Sequence, residues 1–231
     1  MERLTGLRRG LLAVVLAVLA GPVAGADSAR PVNLTASRVY IYVGKTGLGH
    51  NHGVEGRLKS GSLQLEGADA GGELVFDMTS FDADTDAARR YVGLAGSTDA
   101  STKQQVNANM KGAAVLDVQR YPTAKFVVDS VKRTEKKSRE GHPVYELGGK
   151  FTLHGQTRPL KLEAGVEERA EGLRLRGNFR ILQTQYGIRP YSKAFGAVGV
   201  ADQLTIYGDI QLENAGREGE APAEPSATVT R

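Results

Sequence analysis

Between residues 38 and 213 apolar residues return at every second position in a series of short segments, the period of strands with one face turned to a core. In RVYIYVGK (residues 38–45), Val39, Ile41 and Val43 share one face and Tyr40 and Tyr42 the other, so both faces of this strand are expected to be covered. After a glycine-rich break at Gly47–Gly53 the alternation restarts with Val54, Gly56 and Leu58, runs on through Leu63 and Leu65, and returns with Leu74, Phe76 and Met78, Phe81 lying beyond. Thr123–Val131 turns Ala124, Phe126 and Val128 one way. Tyr145, Leu147, Gly149, Phe151 and Leu153 alternate into a turn at His154-Gly155-Gln156, and Leu160 and Leu162 alternate out of it. Leu173, Leu175, Gly177, Phe179 and Ile181 then alternate with Arg174, Arg176, Asn178 and Arg180, and Leu204, Ile206, Gly208, Ile210 and Leu212 form a closing strand. Mid-strand Gly149 predicts a bend or a close approach of backbone.

About eight strands with antiparallel neighbours predict an all-β fold, an eight-stranded antiparallel up-and-down barrel that leaves no sheet edge exposed. A barrel of that size either fills its interior with side chains or holds one ligand. Residues 82–120 break the pattern. This polar insert carries helix formers over Ser101–Met110, with N-cap candidates Asp99 and Ser101 and a terminating Gly112, predicting one short helix with Val106 and Met110 toward the barrel and Val115 and Leu116 packing after it.

The ends of the chain read differently. Residues 1–26 have Arg3, Arg8 and Arg9, an apolar run Leu11–Ala20 and a small-residue Ala24-Gly25-Ala26 site, the three parts of a secretory signal. The apolar run is about half the ~20 residues a membrane helix needs, so no integral membrane span is expected. The predicted organisation is a signal peptide at 1–26, a barrel domain at 27–213 and a disordered tail at 214–231, in a periplasmic or secreted protein. Removing the leader's Glu2, Arg3, Arg8 and Arg9 lowers the formal charge from +4 to +2, too little to argue for nucleic acid. The basic run Lys132–Arg139 reads as a solvated hairpin loop. With no cysteine there are no disulfides, thiol nucleophiles or cysteinyl metal sites.

Candidate chemistry is sparse. The four histidines, His50, His52, His142 and His154, fall in no catalytic order, and no enzyme activity is expected. His50-Asn51-His52 would put two rings on one face of a strand and could hold a metal given a third ligand. The sequence nominates none, so no metal and no cofactor is expected, and turn histidines near the barrel mouth are the alternative.

FTLHGQTRPLKL (151–162) resembles the G-x-L-T-(I/L)-x-G-x-T-x-x-(V/L)-x-L signature of the YceI-like family, and VGKTGLGHNHGVEGRL, RYPTAKFVVDSV and FRILQTQYGIRPYSKAFGAVGVADQLTIYGDIQLE fall in that family's order. The match covers Gly49, His50, Gly53, Val54, Tyr121, Pro122, Phe126, Phe151, Thr152, Leu153, Gly155, Thr157, Tyr186 and Gly187. The insert AARRYVGLAGSTDASTKQQVNAN departs from the shorter family segment. The resemblance implies a lipocalin-like barrel, exported to the periplasm, whose lumen binds a polyisoprenoid or similar long-chain lipid; a homodimer is compatible with it. Residues Val43, Leu48, Val54, Phe76, Met78, Phe81, Phe126, Val128, Phe151, Leu153, Phe179, Ile181, Tyr191 and Phe195 are then ligand-binding candidates. His50, His52, Arg189 and Lys193 are candidates for a polar headgroup, with Tyr186–Val200 as a lid or a plain crossing loop. A hydrocarbon gains about 25 cal/mol per Å² buried, which such walls supply, but an ordinary core uses the same residues. An enzyme using His50 and His52, and a barrel filled by its own side chains, remain the competing readings.

Overall fold

The computed structural model describes residues 28–215. The expected signal peptide at 1–26 and the expected disordered tail beyond residue 215 lie outside the described residues. Among the described residues there are ten strands: β1 (Arg30–Pro31), β2 (Arg38–Gly47), β3 (His52–Gln64), β4 (Gly71–Ala83), β5 (Thr123–Lys137), β6 (Pro143–Leu153), β7 (Gln156–Arg169), β8 (Gly172–Leu182), β9 (Ser192–Lys193) and β10 (Val198–Glu213). Each long strand pairs antiparallel with the next in sequence, β2 through β8 and then β10, and β10 returns to pair with β2. The result is the expected barrel-like all-β fold, a closed ring of eight strands. The two-residue strands β1 and β9 attach to β3 and β10.

Closure follows from the alternation read above. The inward residues of every long strand join one core that includes Val39, Val54, Met78, Phe126, Phe151, Leu175 and Ile206. Three local features bend the sheet around it. Register shifts interrupt β3 against β4 at Glu55/Arg57 and Leu58/Ser60, β5 against β6 at Val128/Ser130, and β10 against β2 at Val200/Leu204, each adding twist. Gly149 lies opposite the β5 shift, and a Cβ there would overlap the Val127 carbonyl oxygen. Gly56 leaves the space into which the Phe81 ring turns. The β6–β7 turn is the two residues His154-Gly155, both at positive φ (49° and 73°), with Gln156 already in β7.

The antiparallel order gathers the 48–51 loop, the 84–122 insert, the His154-Gly155 turn and the 183–197 segment at one end of the ring. The insert holds two helices, α1 (Asp86–Tyr91) and α2 (Ala100–Lys111), where the sequence predicts only the second. At six residues, α1 is too short to show a period; it is held by the Thr85 cap and the buried Ala88 and Arg89. Tyr91 stacks on Tyr40 at 3.9 Å between ring centroids, covering the outer face of β2. For α2, Asp99 caps the start through the Thr102 amide and Gly112 ends it. Asn107 ties α2 to β4, accepting from the Ala83 amide and donating to Asp82 Oδ1.

One strand boundary differs from the sequence reading. β5 runs to Lys137, so the basic run Lys132–Lys137 lies on a strand extension rather than in a loop. It is solvated as expected, because past the core that stretch has only β6 beside it and keeps its charged ends in water.

Candidate functional site

Inside the ring lies a cavity of about 530 Å³, within the range of small-molecule sites. Its wall is built from the inward positions of the ring strands. Of the sequence candidates, Val43, Leu48, Val54, Phe76, Met78, Phe81, Phe126, Phe151, Leu153, Phe179, Ile181 and Tyr191 all border it. Phe151 is the centre of an aromatic group, edge-on to Phe76, Phe179 and Tyr186 at 5.7 to 6.4 Å.

Three candidates are placed elsewhere. Val128 is buried in the core but does not reach the cavity, since it sits at the β5 register shift. Phe195 is fully exposed in a tight turn where it takes φ 54°, and Arg189 points to solvent. Both belong to the crossing segment but lie outside its two-residue strand β9, so no ladder alternates their side chains and period-2 reasoning does not apply to them. Other residues of that segment, Ile188 and Lys193, do border the cavity, as do Val198–Val200 at the start of β10.

The polar part of the wall is confined to the helix-bearing end. His50, His52, Thr102, Gln105, Asn109, Gln183 and Lys193 come from the 48–51 loop and the start of β3, from α2 and from the crossing segment. Val106 and Met110 of α2 turn toward the cavity between the polar residues of that helix, as its spacing predicts. Everything deeper is aliphatic or aromatic apart from glycines.

Beside this mouth, Asp84 is a residue that sequence reasoning missed. It follows β4 with φ 58° and is buried, its amide donating to the Gly53 carbonyl at 2.6 Å and its Oδ1 accepting from the Gly53 amide at 3.2 Å. Gly53 is bare for a reason. A Cβ there would come within 2.9 Å of the α1 backbone at Ala88 and Arg89, so glycine lets α1 lie directly on β3. Arg89, also buried, reaches Asp84 Oδ1 at 3.2 Å and is otherwise fixed by the carbonyls of Ala95 and Gly96. On the other carboxylate oxygen, Oδ2, converge His52 Nδ1 at 2.8 Å, His50 Nε2 at 3.3 Å and the Thr98 hydroxyl at 3.1 Å. Burial alone would raise the Asp84 carboxyl. The hydrogen bond and charge of His52 outweigh it, the His50 ring and the Gly53 amide add to them, and the carboxyl is held well below the usual carboxylate range. The signal for Asp84 was weak: an Asp-Thr-Asp run where β4 ends, with nothing to say that it meets residues more than 30 positions earlier.

Ring, apolar interior and one-ended polar rim together define a barrel-like all-β protein with an interior cavity. The chain belongs to the YceI-like domain family, whose model matches residues 32–212. Among solved structures it is similar to BcnA of Burkholderia cenocepacia, with 16% identity over 78% of this chain and 98% of that one, at a TM-score of 0.53. It is also similar to a YCEI protein of Campylobacter jejuni, with 12% identity over 69% of this chain and 84% of that one, at a TM-score of 0.46. At 16% identity the likeness to BcnA speaks to fold alone. No curated protein sequence matches the chain. Among the described residues, no helix is long and apolar enough to cross a membrane.

Proposed function

We propose that this protein is a non-catalytic carrier that holds a polyisoprenoid or similar long-chain amphiphile in the ring's cavity, and that it works after export to the periplasm or beyond. The observation that carries the reading is the distribution of polarity along the cavity. A deep apolar wall with polar side chains at one end matches a molecule with a hydrocarbon body and one polar end, because an unpaired polar group deeper in the wall would disfavour the chain. His50, His52 and Lys193 stand where the polar end would emerge, and α2 and the crossing segment flank the opening. Family membership supports the same class of ligand.

Native mass spectrometry of protein purified from its own host tests this, since it reports bound mass without a guessed ligand. The expected result is an adduct of lipid mass that organic extraction removes. Protein that carries no adduct from its host and takes up no long-chain lipid from detergent micelles would overturn the reading. N-terminal sequencing of the exported protein tests the export step: the chain is expected to begin near Asp27, and retention of Met1 would refute it.

A further inference from the structure

We propose that His50, His52 and Asp84 form a binding site for a divalent transition-metal ion of the zinc class, with its remaining position open toward the cavity mouth. Each residue offers one donor atom, and the three donors all lie within 4.8 Å of one another. Zinc held at about 2.0–2.1 Å by nitrogen and oxygen ligands in a tetrahedral site sets its donors roughly 3.3 Å apart. The His50 Nε2–Asp84 Oδ2 separation is 3.3 Å, and the His52 Nδ1–Asp84 Oδ2 separation of 2.8 Å has only to open by about half an ångström.

The hydrogen bonding of the carboxylate points the same way. An ionised carboxylate offers about four lone-pair sites, yet five groups converge on Asp84. The Gly53 amide and Arg89 hold Oδ1, while both rings and the Thr98 hydroxyl crowd Oδ2. For both rings to bond Oδ2 as hydrogen-bond donors, each must carry its proton on the inward nitrogen. A single cation at their common focus satisfies all three donor atoms at once. Arg89 and the Gly53 amide then act as the outer partners that aim a ligating carboxylate, leaving Oδ2 as a single ligand atom. Two imidazoles and one carboxylate suit zinc and its neighbours in the first transition row better than magnesium or calcium, which prefer all-oxygen sites. His50 keeps 43% of its side chain exposed, and both rings border the cavity, so the ion can enter and its fourth position faces the opening. The site stands whether or not a lipid fills the interior.

Calorimetric titration of Zn²⁺ into chelator-treated full chain, as purified and after lipid extraction, tests the proposal. One equivalent is expected to bind with Kd below about 1 μM. His50→Ala and His52→Ala are each expected to weaken binding at least about tenfold, while His142→Ala, remote from the cluster, leaves it unchanged. Should His52→Ala fail to fold, His50→Gln alters only the half-exposed ring and carries the same expectation. Absence of stoichiometric binding by the wild type, affinity unchanged in the His50 and His52 variants, or an equal loss in His142→Ala would each overturn it.

Discussion

Gly149 and Gly208 look alike in the sequence, each a glycine taking an inward position in an otherwise apolar alternation. Their surroundings differ. A Cβ at Gly149 would overlap the Val127 carbonyl oxygen, backbone that cannot give way without breaking the β5–β6 ladder, whereas at Gly208 the nearest atom is the flexible Ile210 Cγ1 at 3.7 Å. Neither glycine has a positive φ, so the contrast is one of space. Gly149→Ala is therefore expected to cost about 2 kcal/mol or more, in the range of overpacked cores, and Gly208→Ala to stay within about 0.5 kcal/mol of wild type. Urea unfolding of both variants checks this, and equal destabilisation would contradict it. The same scale explains the turn motif: Gly155 sits at φ 73° with Tyr121 against it, and the Tyr121 ring lies tilted against His154 at 4.3 Å between ring centroids, so the Tyr-Pro and His-Gly pieces of the sequence meet in space.

At the scale of elements, the ring strands and α2 were legible because their signals are local. Strand periodicity and an Asp cap need only neighbouring residues. α1 was not, since a six-residue helix is stable only through what it rests on, the bare backbone of Gly53 and the ion pair of Arg89 with Asp84. α2 makes few ties to the ring, chiefly Asn107 to β4, Lys103 to Asp82 and Lys111 to the Thr79 carbonyl. Its stability therefore leans on its cap. Hydrogen bonds from Thr102, through its side chain and its amide, lower the pKa of the Asp99 carboxyl. A depressed folded pKa means that the cap stabilises above the ordinary carboxylate value, near 4, and that this is lost as pH falls through the lower folded value. Amide exchange, corrected for its intrinsic pH dependence, is expected to speed up in α2 between pH 5 and pH 3 with β6 and β7 unaffected, and Asp99→Asn to remove that acid sensitivity while keeping the helix. An α2 protection factor independent of pH in the wild type would contradict it.

For the molecule as a whole, the question is whether the interior is a cavity or a packed core. Leu153 is buried at the end of β6 and borders the cavity, so Leu153→Trp adds volume where the structure has space. Overpacking a filled core costs about 1–3 kcal/mol; here the expected outcome is a melting temperature within a few degrees of the apo wild type and a loss of at least tenfold in affinity for a fluorescent long-chain probe. A variant that melts far below wild type, with no probe bound by either, would mean that the barrel is packed solid. Because binding and melting are read on the same samples, a folding failure and a blocked cavity give different results.

By itself the sequence determined which residues of the ring strands face inward, how many long strands there are, that they close as an antiparallel meander, where the central hairpin turns and how α2 is capped. These depend on the two-residue period of a strand and on hydrogen bonds between near neighbours, which any folded form of the chain must respect. Only the tertiary structure decided which inward residues line a cavity and which, like Val128, merely fill the wall, because that depends on how far opposite strands stand apart after the ring closes. It also decided that Phe195 and Arg189 face water while Lys193 borders the mouth. Above all, it brought Asp84 to His50 and His52, joining positions 32 and 34 residues apart. No periodicity encodes that meeting, which exists only because β3 and β4 pair and Gly53 leaves room for α1.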